Sequence, residues 1–164
     1  MSDTRLIKDY KELFAGDLSW IKVFDNSSIL VTGATGLIGS VLCRAILFYN
    51  RFYNGQIRLI AQVRNIEKAK KIYCDDFNNQ NLEFCISDIN DGIQYSGDVD
   101  YIVHCANTTS SQAYVKEPVE TINTIVLGTN HMLSFAKQKN VKCFVYLSTM
   151  ETYGNPFLLS VHLI

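Results

Sequence analysis

Three glycines at three-residue intervals are the residues of this chain with the clearest chemical use. They are Gly33, Gly36 and Gly39. An apolar run, Ile29–Thr32, precedes them, and an amphipathic run begins at Leu37. The pattern predicts a buried strand, a tight turn and the start of a helix. Such a turn lets a phosphate meet free backbone N–H groups and the positive end of the helix dipole. We therefore expect the chain to bind a dinucleotide.

Each glycine has a different expected part in that turn. Gly33 allows the turn itself, Gly36 lets a pyrophosphate approach the backbone, and Gly39 allows tight packing of helix on strand. The spacing T-G-x-x-G-x-x-G differs from the G-x-G-x-x-G of typical dehydrogenases. Glycines also punctuate ordinary turns, so a purely structural turn is the alternative. The strand before and the helix after favour a nicotinamide dinucleotide.

Length and composition narrow the class of protein. The 164 residues fit one domain, and 48% hydrophobic with 19% charged residues is typical of a folded globule. A net charge of −1 gives no reason to expect nucleic acid or an anionic membrane as partner. No apolar run approaches the roughly 20 residues of a membrane span, and the first ten residues lack a signal-peptide core. We therefore expect a cytoplasmic protein.

The five cysteines do not have the spacing of a metal or redox site. Their number is odd and no C-x-x-C pair occurs, so neither zinc nor any other metal is expected. Cys85, Cys105 and Cys143 each lie within an apolar, strand-like run. We expect them to be small buried side chains in a reducing compartment.

Strand and helix patterns alternate from Ser27 onward. The predicted strands are Ile29–Thr32, Ile57–Val63, Leu82–Ser87, Tyr101–Cys105 and Cys143–Ser148. The predicted helices are Leu37–Phe52, Ile66–Asp76 and Val119–Asn140. The strand runs are apolar enough to be buried on both faces, which is typical of parallel sheets. The alternation predicts an α/β fold with right-handed crossovers.

The last predicted helix has the clearest periodicity. Its apolar residues form one long stripe: Val119, Ile122, Ile125, Val126, Met132, Leu133 and Ala136.

Before the first strand, Thr4–Phe14 and Leu18–Phe24 predict two helical pieces that pack on the outside of the domain. We therefore divide the chain into a helical leader over residues 1–26, a dinucleotide-binding domain over 27–154 and an apolar tail over 155–164.

Further motifs occur in register with the glycine turn. In chain order they are Ser87-Asp88-Ile89, His104-Cys105-Ala106-Asn107, Gly128-Thr129 and Leu147-Ser148-Thr149-Met150-Glu151-Thr152-Tyr153-Gly154. Together they resemble the extended short-chain dehydrogenase/reductase family, the NAD(P)-dependent nucleotide-sugar epimerases and dehydratases. The resemblance covers residues 27–154. It implies a Rossmann-type, doubly wound parallel sheet, truncated after the fifth strand, and a nucleotide-sugar substrate in the complete protein.

The resemblance also implies which residues hold the cofactor. Those residues are Gly33, Thr35, Gly36, Leu37, Ile38 and Gly39 at the pyrophosphate, Asp88 and Ile89 at the adenine, and Cys105, Ala106 and Asn107 at the nicotinamide ribose. A carboxylate oxygen of Asp88 would accept from the adenine amine, although Asp is also a common turn residue after a strand. The family usually shows H-x-A-A where this chain has Asn107.

The choice between NADP and NAD depends on the end of the second strand. NAD-specific members place an acid there, to bind the ribose 2′-hydroxyl. This strand ends in Ala61-Gln62-Val63-Arg64-Asn65, without an acid. Arg64 would pair with a 2′-phosphate, which favours NADP(H) over NAD(H). A solvated arginine that flanks the helix or stacks over the adenine is the alternative.

Two residues after the fifth strand match the family's catalytic positions. Thr149 aligns with the catalytic Ser/Thr, and its alternative is a hydroxyl that satisfies a backbone group at a strand end. Glu151 is retained, but Met150 stands where dehydratases carry Asp, which favours epimerase, decarboxylase or reductase chemistry. For Glu151 the alternative is a solvated loop acid.

The family's Tyr-x-x-x-Lys pair does not occur in these 164 residues. Because that pair supplies the general acid and base, we expect this chain to be inactive alone. One hypothesis is the cofactor-binding part of a longer oxidoreductase without its substrate domain; the other is a non-catalytic dinucleotide-binding or sensing module. An open, apolar sheet edge beside an apolar tail also predicts self-association.

Overall fold

The computed structural model describes residues 4–107 and 111–148, which form a five-stranded parallel sheet with helices on both faces. The strands are β1 (Ser28–Thr32), β2 (Arg58–Val63), β3 (Leu82–Ile86), β4 (Tyr101–His104) and β5 (Cys143–Tyr146). The helices are α1 (Thr4–Leu13), α2 (Ser19–Lys22), α3 (Leu37–Tyr53), α4 (Ile66–Tyr73), α5 (Ser111–Lys116) and α6 (Pro118–Lys139). The strand order is β3-β2-β1-β4-β5. The predicted doubly wound fold is therefore confirmed.

One core lies between the sheet and α3, α4 and the leader helices. Ile29, Val31 and Leu59 on the sheet pack against buried residues of α3, such as Phe48. The leader adds Phe14, whose ring centroid lies 6.1 Å from that of Phe48. Such apolar packing gives the leader more stability than its own helix propensity would. The leader packs on the outside of α3, as its amphipathic pattern indicates.

A second core lies on the other face of the sheet, under α6. Leu30 and Ile102 are fully buried there against Met132 and Phe135 of α6. The residues of α6 that face inward are Thr121, Gly128, Met132, Phe135 and Ala136. These positions recur at helical spacing, so they define the face that packs on the sheet.

The predicted single apolar stripe on α6 is wrong. Val119, Ile122, Val126 and Leu133 belong to that stripe, yet they are 49–62% exposed. Their spacing of three, four and seven residues places them on a helix face of their own, away from Met132 and Phe135. The sequence pattern identifies the apolar positions of the helix. It does not separate the buried apolar face from the exposed one, because the two faces have similar residue spacing.

The structure corrects four smaller expectations. The helix predicted to reach Asp76 ends at Tyr73, and a 3₁₀ turn over Cys74–Asp76 follows it. A helix over Ser111–Lys116 was not predicted. A second 3₁₀ turn, over Ile89–Asp91, was not predicted either. The other ends of helices and strands differ from expectation by one or two residues.

The expected burial of the strand cysteines is correct only for Cys85. Cys105 is half-buried and Cys143 is exposed. Cys143 is the first residue of β5, which pairs with β4 alone within the described part of the chain. The described residues contain no helix that is both long and apolar enough to cross a membrane.

An apolar groove of about 350 Å³ lies between α2 and the β4–β5 edge of the sheet. Trp20 and Phe24 form one wall, and Tyr101 and Val145 form the other. Trp20 is 47% exposed, and its ring stacks on that of Phe14 with the two ring centroids 5.7 Å apart.

Residues 149–164 lie outside the described part of the chain, so the predicted boundary at 154 and the tail over 155–164 stay predictions.

Candidate dinucleotide site

A cleft of about 340 Å³ opens at the carboxyl ends of the strands. It lies where β1 adjoins both β2 and β4, the point at which the strand order reverses. Its walls are formed by Gly33, Thr35, Gly36, Gln62, Val63, Arg64, Lys68, Asp88, Ile89, Cys105, Ala106, Asn107 and Thr124. Open α/β sheets bind their ligands at this switch point, and the cleft has the size of a small-molecule site.

The glycine turn is shaped by two close approaches. Gly33 has a φ of +62°, and a Cβ there would lie 2.8 Å from the Cα of Ala106. A Cβ on Gly39 would lie 2.4 Å from the carbonyl oxygen of Gly33. Both distances are too short for any side chain, because backbone atoms stand on the other side. The turn therefore holds α3 directly against the end of β1.

The amino end of α3 is open toward the cleft. Gly36 occupies the capping position, where it offers no side chain to bond the first N–H groups. The first turn carries no acid, and Leu37 and Ile38 direct exposed side chains away from the core. The free N–H groups and the helix dipole together favour an anion at this place.

A buried tyrosine supports the same turn from below. The Tyr73 hydroxyl donates to the Ala34 carbonyl oxygen at 2.7 Å. Burial raises the pKa of Tyr73 well above its usual range, so the hydroxyl stays a hydrogen-bond donor. A bond of this kind fixes the peptide between Ala34 and Thr35 at the mouth of the cleft.

The opposite wall is held by the hydroxyl of Thr32. Its Oγ1 accepts from the N–H groups of Cys105 and Ala106, each at 3.1 Å. Because both lone pairs are used, the hydroxyl hydrogen donates to Nδ1 of His104 at 2.7 Å. His104 therefore carries its proton on Nε2, which faces the Thr129 hydroxyl at 3.5 Å.

This network needs a neutral histidine, and burial provides one. Burial lowers the pKa of His104 to about 4, so Nδ1 keeps the lone pair that accepts from Thr32. Burial also raises the pKa of Cys105 to about 11, so its thiol is neutral where it lines the cleft. His104 is a core residue that shapes the wall, and it is not part of the cleft lining.

Asp88 lies on the cleft wall and also caps a turn. One carboxylate oxygen accepts from the N–H of Asn90 at 2.9 Å and so begins the 3₁₀ turn. The other lies 3.8 Å from a guanidinium nitrogen of Arg64. That ion pair is exposed, so it contributes about 0–1 kcal/mol and leaves both groups available to a ligand. Ile89 is buried against Gly128 of α6, and this contact fixes the turn.

The structure adds four cleft residues that sequence reasoning did not identify: Gln62, Val63, Lys68 and Thr124. Lys68 lies in the first turn of α4, where its N–H donates to the Asn65 side chain at 3.0 Å. The position of Lys68 shortly after β2, near Arg64, could have identified it as a cleft residue from the sequence. Thr124 accepts from the Asn90 amide at 3.2 Å. Gln62 could have been identified from the sequence as well, because it is a polar residue in an otherwise apolar strand.

The predicted catalytic residues Thr149 and Glu151 lie outside the described residues. The cleft brings together every other predicted site residue except Leu37, Ile38 and Gly39, which belong to the adjoining start of α3. Within residues 4–107 and 111–148, no three His, Cys, Asp or Glu side chains form a group that could hold a metal ion.

A parallel sheet with a glycine turn at its switch point defines a Rossmann-type, dinucleotide-binding class of protein. A family model confirms and narrows that class. The model of the NAD dependent epimerase/dehydratase family matches residues 29–158. The chain belongs to this family.

The chain is similar to two curated relatives in particular. UDP-glucuronic acid decarboxylase 4 of Arabidopsis thaliana is 32% identical over 135 residues, which are 78% of this chain and 27% of that protein. dTDP-D-glucose 4,6-dehydratase of Dictyostelium discoideum is 30% identical over 139 residues, which are 77% of this chain and 30% of that protein. The chain thus spans less than a third of the length of these relatives.

Solved structures share the fold at lower identity. A UDP-galactose 4-epimerase superposes with a TM-score of 0.63 at 23% identity, over 79% of this chain and 40% of its own. A UDP-glucuronic acid 4-epimerase from Bacillus cereus, solved with UDP-glucuronic acid and NAD, superposes with a TM-score of 0.62 at 22% identity. The match covers 78% of this chain and 42% of that chain. These likenesses support the fold alone.

Proposed function

We propose that the chain binds NADP(H) or NAD(H) in the cleft and forms the cofactor-binding part of an oxidoreductase that acts on a nucleotide sugar. One observation carries the proposal. At the mouth of a 340 Å³ cleft, the close backbone contact between Gly33 and Gly39 holds α3 against the end of β1, and the uncapped start of α3 faces the cleft. The free N–H groups of that helix end and its dipole favour a phosphate there.

The residues of the cleft fit a dinucleotide along its length. The pyrophosphate would lie at the N–H groups of Leu37 and Ile38, and the adenine beside Asp88. The nicotinamide ribose would lie along Cys105–Asn107, whose backbone Thr32 holds in place. When bound, the nicotinamide would supply hydride transfer. The protein's own contribution is to orient the cofactor and to exclude water from one side of it.

The binding claim is tested by Gly36→Val. A Cβ at this position meets only the Gly33 carbonyl oxygen, at 3.1 Å, so a small shift of the turn makes room for a side chain that occupies the phosphate space. We expect the affinity for NADPH, measured by calorimetric titration, to fall at least about tenfold. Gly16→Val is the matched control, since no atom lies within 4 Å of a Cβ there. Equal affinity of wild type and Gly36→Val would exclude the proposed site.

We propose further that the cleft prefers NADP(H). Two cations, Arg64 and Lys68, line the wall that follows β2, and the end of β2 carries no acid to accept from a ribose 2′-hydroxyl. The Arg64 side chain is 76% exposed in its weak pair with Asp88, so it is free to move onto a 2′-phosphate. Guanidinium and phosphate match each other in charge and geometry.

The preference is tested by removal of each cation. Arg64→Ala should weaken NADPH binding by about 1–3 kcal/mol and leave NADH binding nearly unchanged. Lys68→Ala should have a smaller effect of the same kind. Lys70→Ala is the control, because Lys70 pairs with Glu67 and does not line the cleft. A wild-type protein that binds NADH more tightly than NADPH would overturn the preference.

The substrate class follows from the relatives and is likewise a proposal. The relatives named above carry the names of a UDP-sugar decarboxylase, a dTDP-sugar dehydratase and UDP-sugar epimerases. Thr149 and Glu151 stay the predicted catalytic residues, and Met150 favours a reaction other than dehydration.

Because these 164 residues lack the Tyr-x-x-x-Lys pair, we expect no turnover of UDP-glucuronic acid or UDP-glucose by this chain with NADP⁺ or NAD⁺. Product analysis by chromatography is the measurement. Turnover would contradict this expectation. It would also exclude the alternative of a module that only binds dinucleotides.

A further inference from the structure

A buried amide, the side chain of Gln62, joins the ends of three strands. Gln62 is the penultimate residue of β2 and is 2% exposed. Its Oε1 accepts from the N–H of Gly33 at 3.0 Å, and its Nε2 donates to the Ser87 carbonyl oxygen at 2.5 Å. Gly33 follows the last residue of β1, and Ser87 follows the last residue of β3. One side chain therefore spans both neighbours of its own strand.

The backbone of Gln62 contacts the same turn. Its carbonyl oxygen accepts from the N–H of Ala34 at 3.1 Å. Two successive N–H groups of the glycine turn thus end on Gln62, one on its side chain and one on its backbone. A buried polar side chain in a strand is costly unless its groups are paired, and here both ends of the amide are paired.

We propose that Gln62 is a positioning residue that sets the conformation of the glycine turn for the cofactor. Gly33 has a φ of +62°, and a glycine reorients its peptide groups more easily than any other residue. The amide holds the Gly33 N–H toward β2. It also fixes the distance from the turn to Ser87, which precedes Asp88. The pyrophosphate and adenine sides of the cleft are thereby held in one arrangement.

The amide's two ends are not interchangeable. A carbonyl oxygen must face Gly33, and an N–H group must face Ser87. Glutamate at this position keeps the acceptor for Gly33, but it presents a hydrogen to Ser87 only while it is protonated. Methionine fills a similar volume and provides neither bond. These two substitutions therefore separate the hydrogen bonds from the packing.

The proposal rests on the proposed dinucleotide function, and the experiment keeps the two apart. Dissociation constants for NADPH and NADH are measured at 20 °C for the full chain, Gln62→Met and Gln62→Glu. Amide hydrogen exchange of Gly33 is followed in the same proteins. Gln94→Met, a substitution at an exposed glutamine, is the control. A wild-type chain that binds neither NADPH nor NADH refutes the proposed function itself, and the role of Gln62 with it.

We expect Gln62→Met to bind the cofactor about tenfold more weakly and to exchange the Gly33 amide hydrogen at least about tenfold faster, since one buried hydrogen bond is lost at each end. Gln62→Glu should bind nearly as well as wild type at pH 6 and lose affinity as the pH rises toward 9, because ionisation removes the donor to Ser87. The wild-type affinity should change less over that range.

Three results would overturn the role of Gln62 while wild type binds normally. The first is tighter cofactor binding by Gln62→Met, which would mean that the amide competes with the cofactor for the Gly33 N–H. The second is a lower unfolding temperature with unchanged affinity, which is the mark of packing alone. The third result applies if Gln62→Met does not fold. It is a Gln62→Glu protein whose cofactor affinity depends on pH in the same way as that of wild type.

Discussion

Acidification should destabilise this domain through one buried ring, that of His104. The side chain is 1% exposed, and burial lowers its pKa from 6.5 to about 4. Below pH 6.5 the unfolded chain takes up a proton that the folded chain does not bind. The free energy of unfolding is therefore at its full value above pH 6.5, and it falls as the pH falls toward 4.

The size of the effect follows from the two pKa values. The difference between 6.5 and about 4 corresponds to about 3 kcal/mol once both values are passed. At pH 5 the folded ring is still mostly neutral, and the loss amounts to about 2 kcal/mol. A proton on Nδ1 would also face the Thr32 hydroxyl at 2.7 Å, whose oxygen already accepts from two N–H groups.

Urea unfolding followed by circular dichroism at pH 7.5 and pH 5.0 measures this loss. His104→Asn keeps an acceptor near Nδ1 but does not titrate, so it should lose clearly less stability between the two pH values than wild type does. His131→Gln is the control and should keep the wild-type difference. A wild-type loss below about 0.5 kcal/mol, or an equal loss in His104→Asn, would refute the reasoning.

The remaining predictions concern packing and assembly. Gly39→Ala should cost about 1–3 kcal/mol in urea unfolding, because its Cβ would lie 2.4 Å from the Gly33 carbonyl oxygen. Gly36→Ala, whose Cβ has its nearest atom at 3.1 Å, should cost clearly less, and equal losses would contradict the packing argument. The chain should self-associate through the exposed apolar face of α6, so Val126→Glu should shift its sedimentation toward the monomer while Gln138→Glu does not. A wild-type chain that sediments only as a monomer would exclude this.

Strands β1 and β2 could be predicted because they are buried on both faces, whereas β3 and β5, at the two ends of the strand order, are mostly half-buried or exposed. Runs such as Leu59–Val63 are apolar at nearly every position, and in the structure those positions are buried. The glycine spacing also predicts where the cleft opens, since the turn follows the central strand. Both inferences use local chemistry, and local chemistry is what a single sequence records.

What the sequence could not show are contacts between groups that are far apart in the chain. The Thr32 hydroxyl meets His104 across 72 residues, and Gln62 meets Gly33 across 29. Nothing local marks one polar side chain as a partner of another. The same limit explains α6, where Val126 and Met132 are both apolar but only Met132 is covered by the sheet. Burial depends on neighbours that periodicity does not identify.

The tryptophan at the groove beside α2 provides an intrinsic fluorescence signal. Trp20 is the single tryptophan, and its half-exposed ring lies at the border between that groove and solvent. Indole emission depends on the polarity around the ring, so apolar material that covers the groove would shift the emission to shorter wavelength. The ring stacks on Phe14, which follows α1 in the leader, so loosening of the leader would change the same emission. Unmodified protein thus reports, without any label, whether this face of the sheet is open or covered.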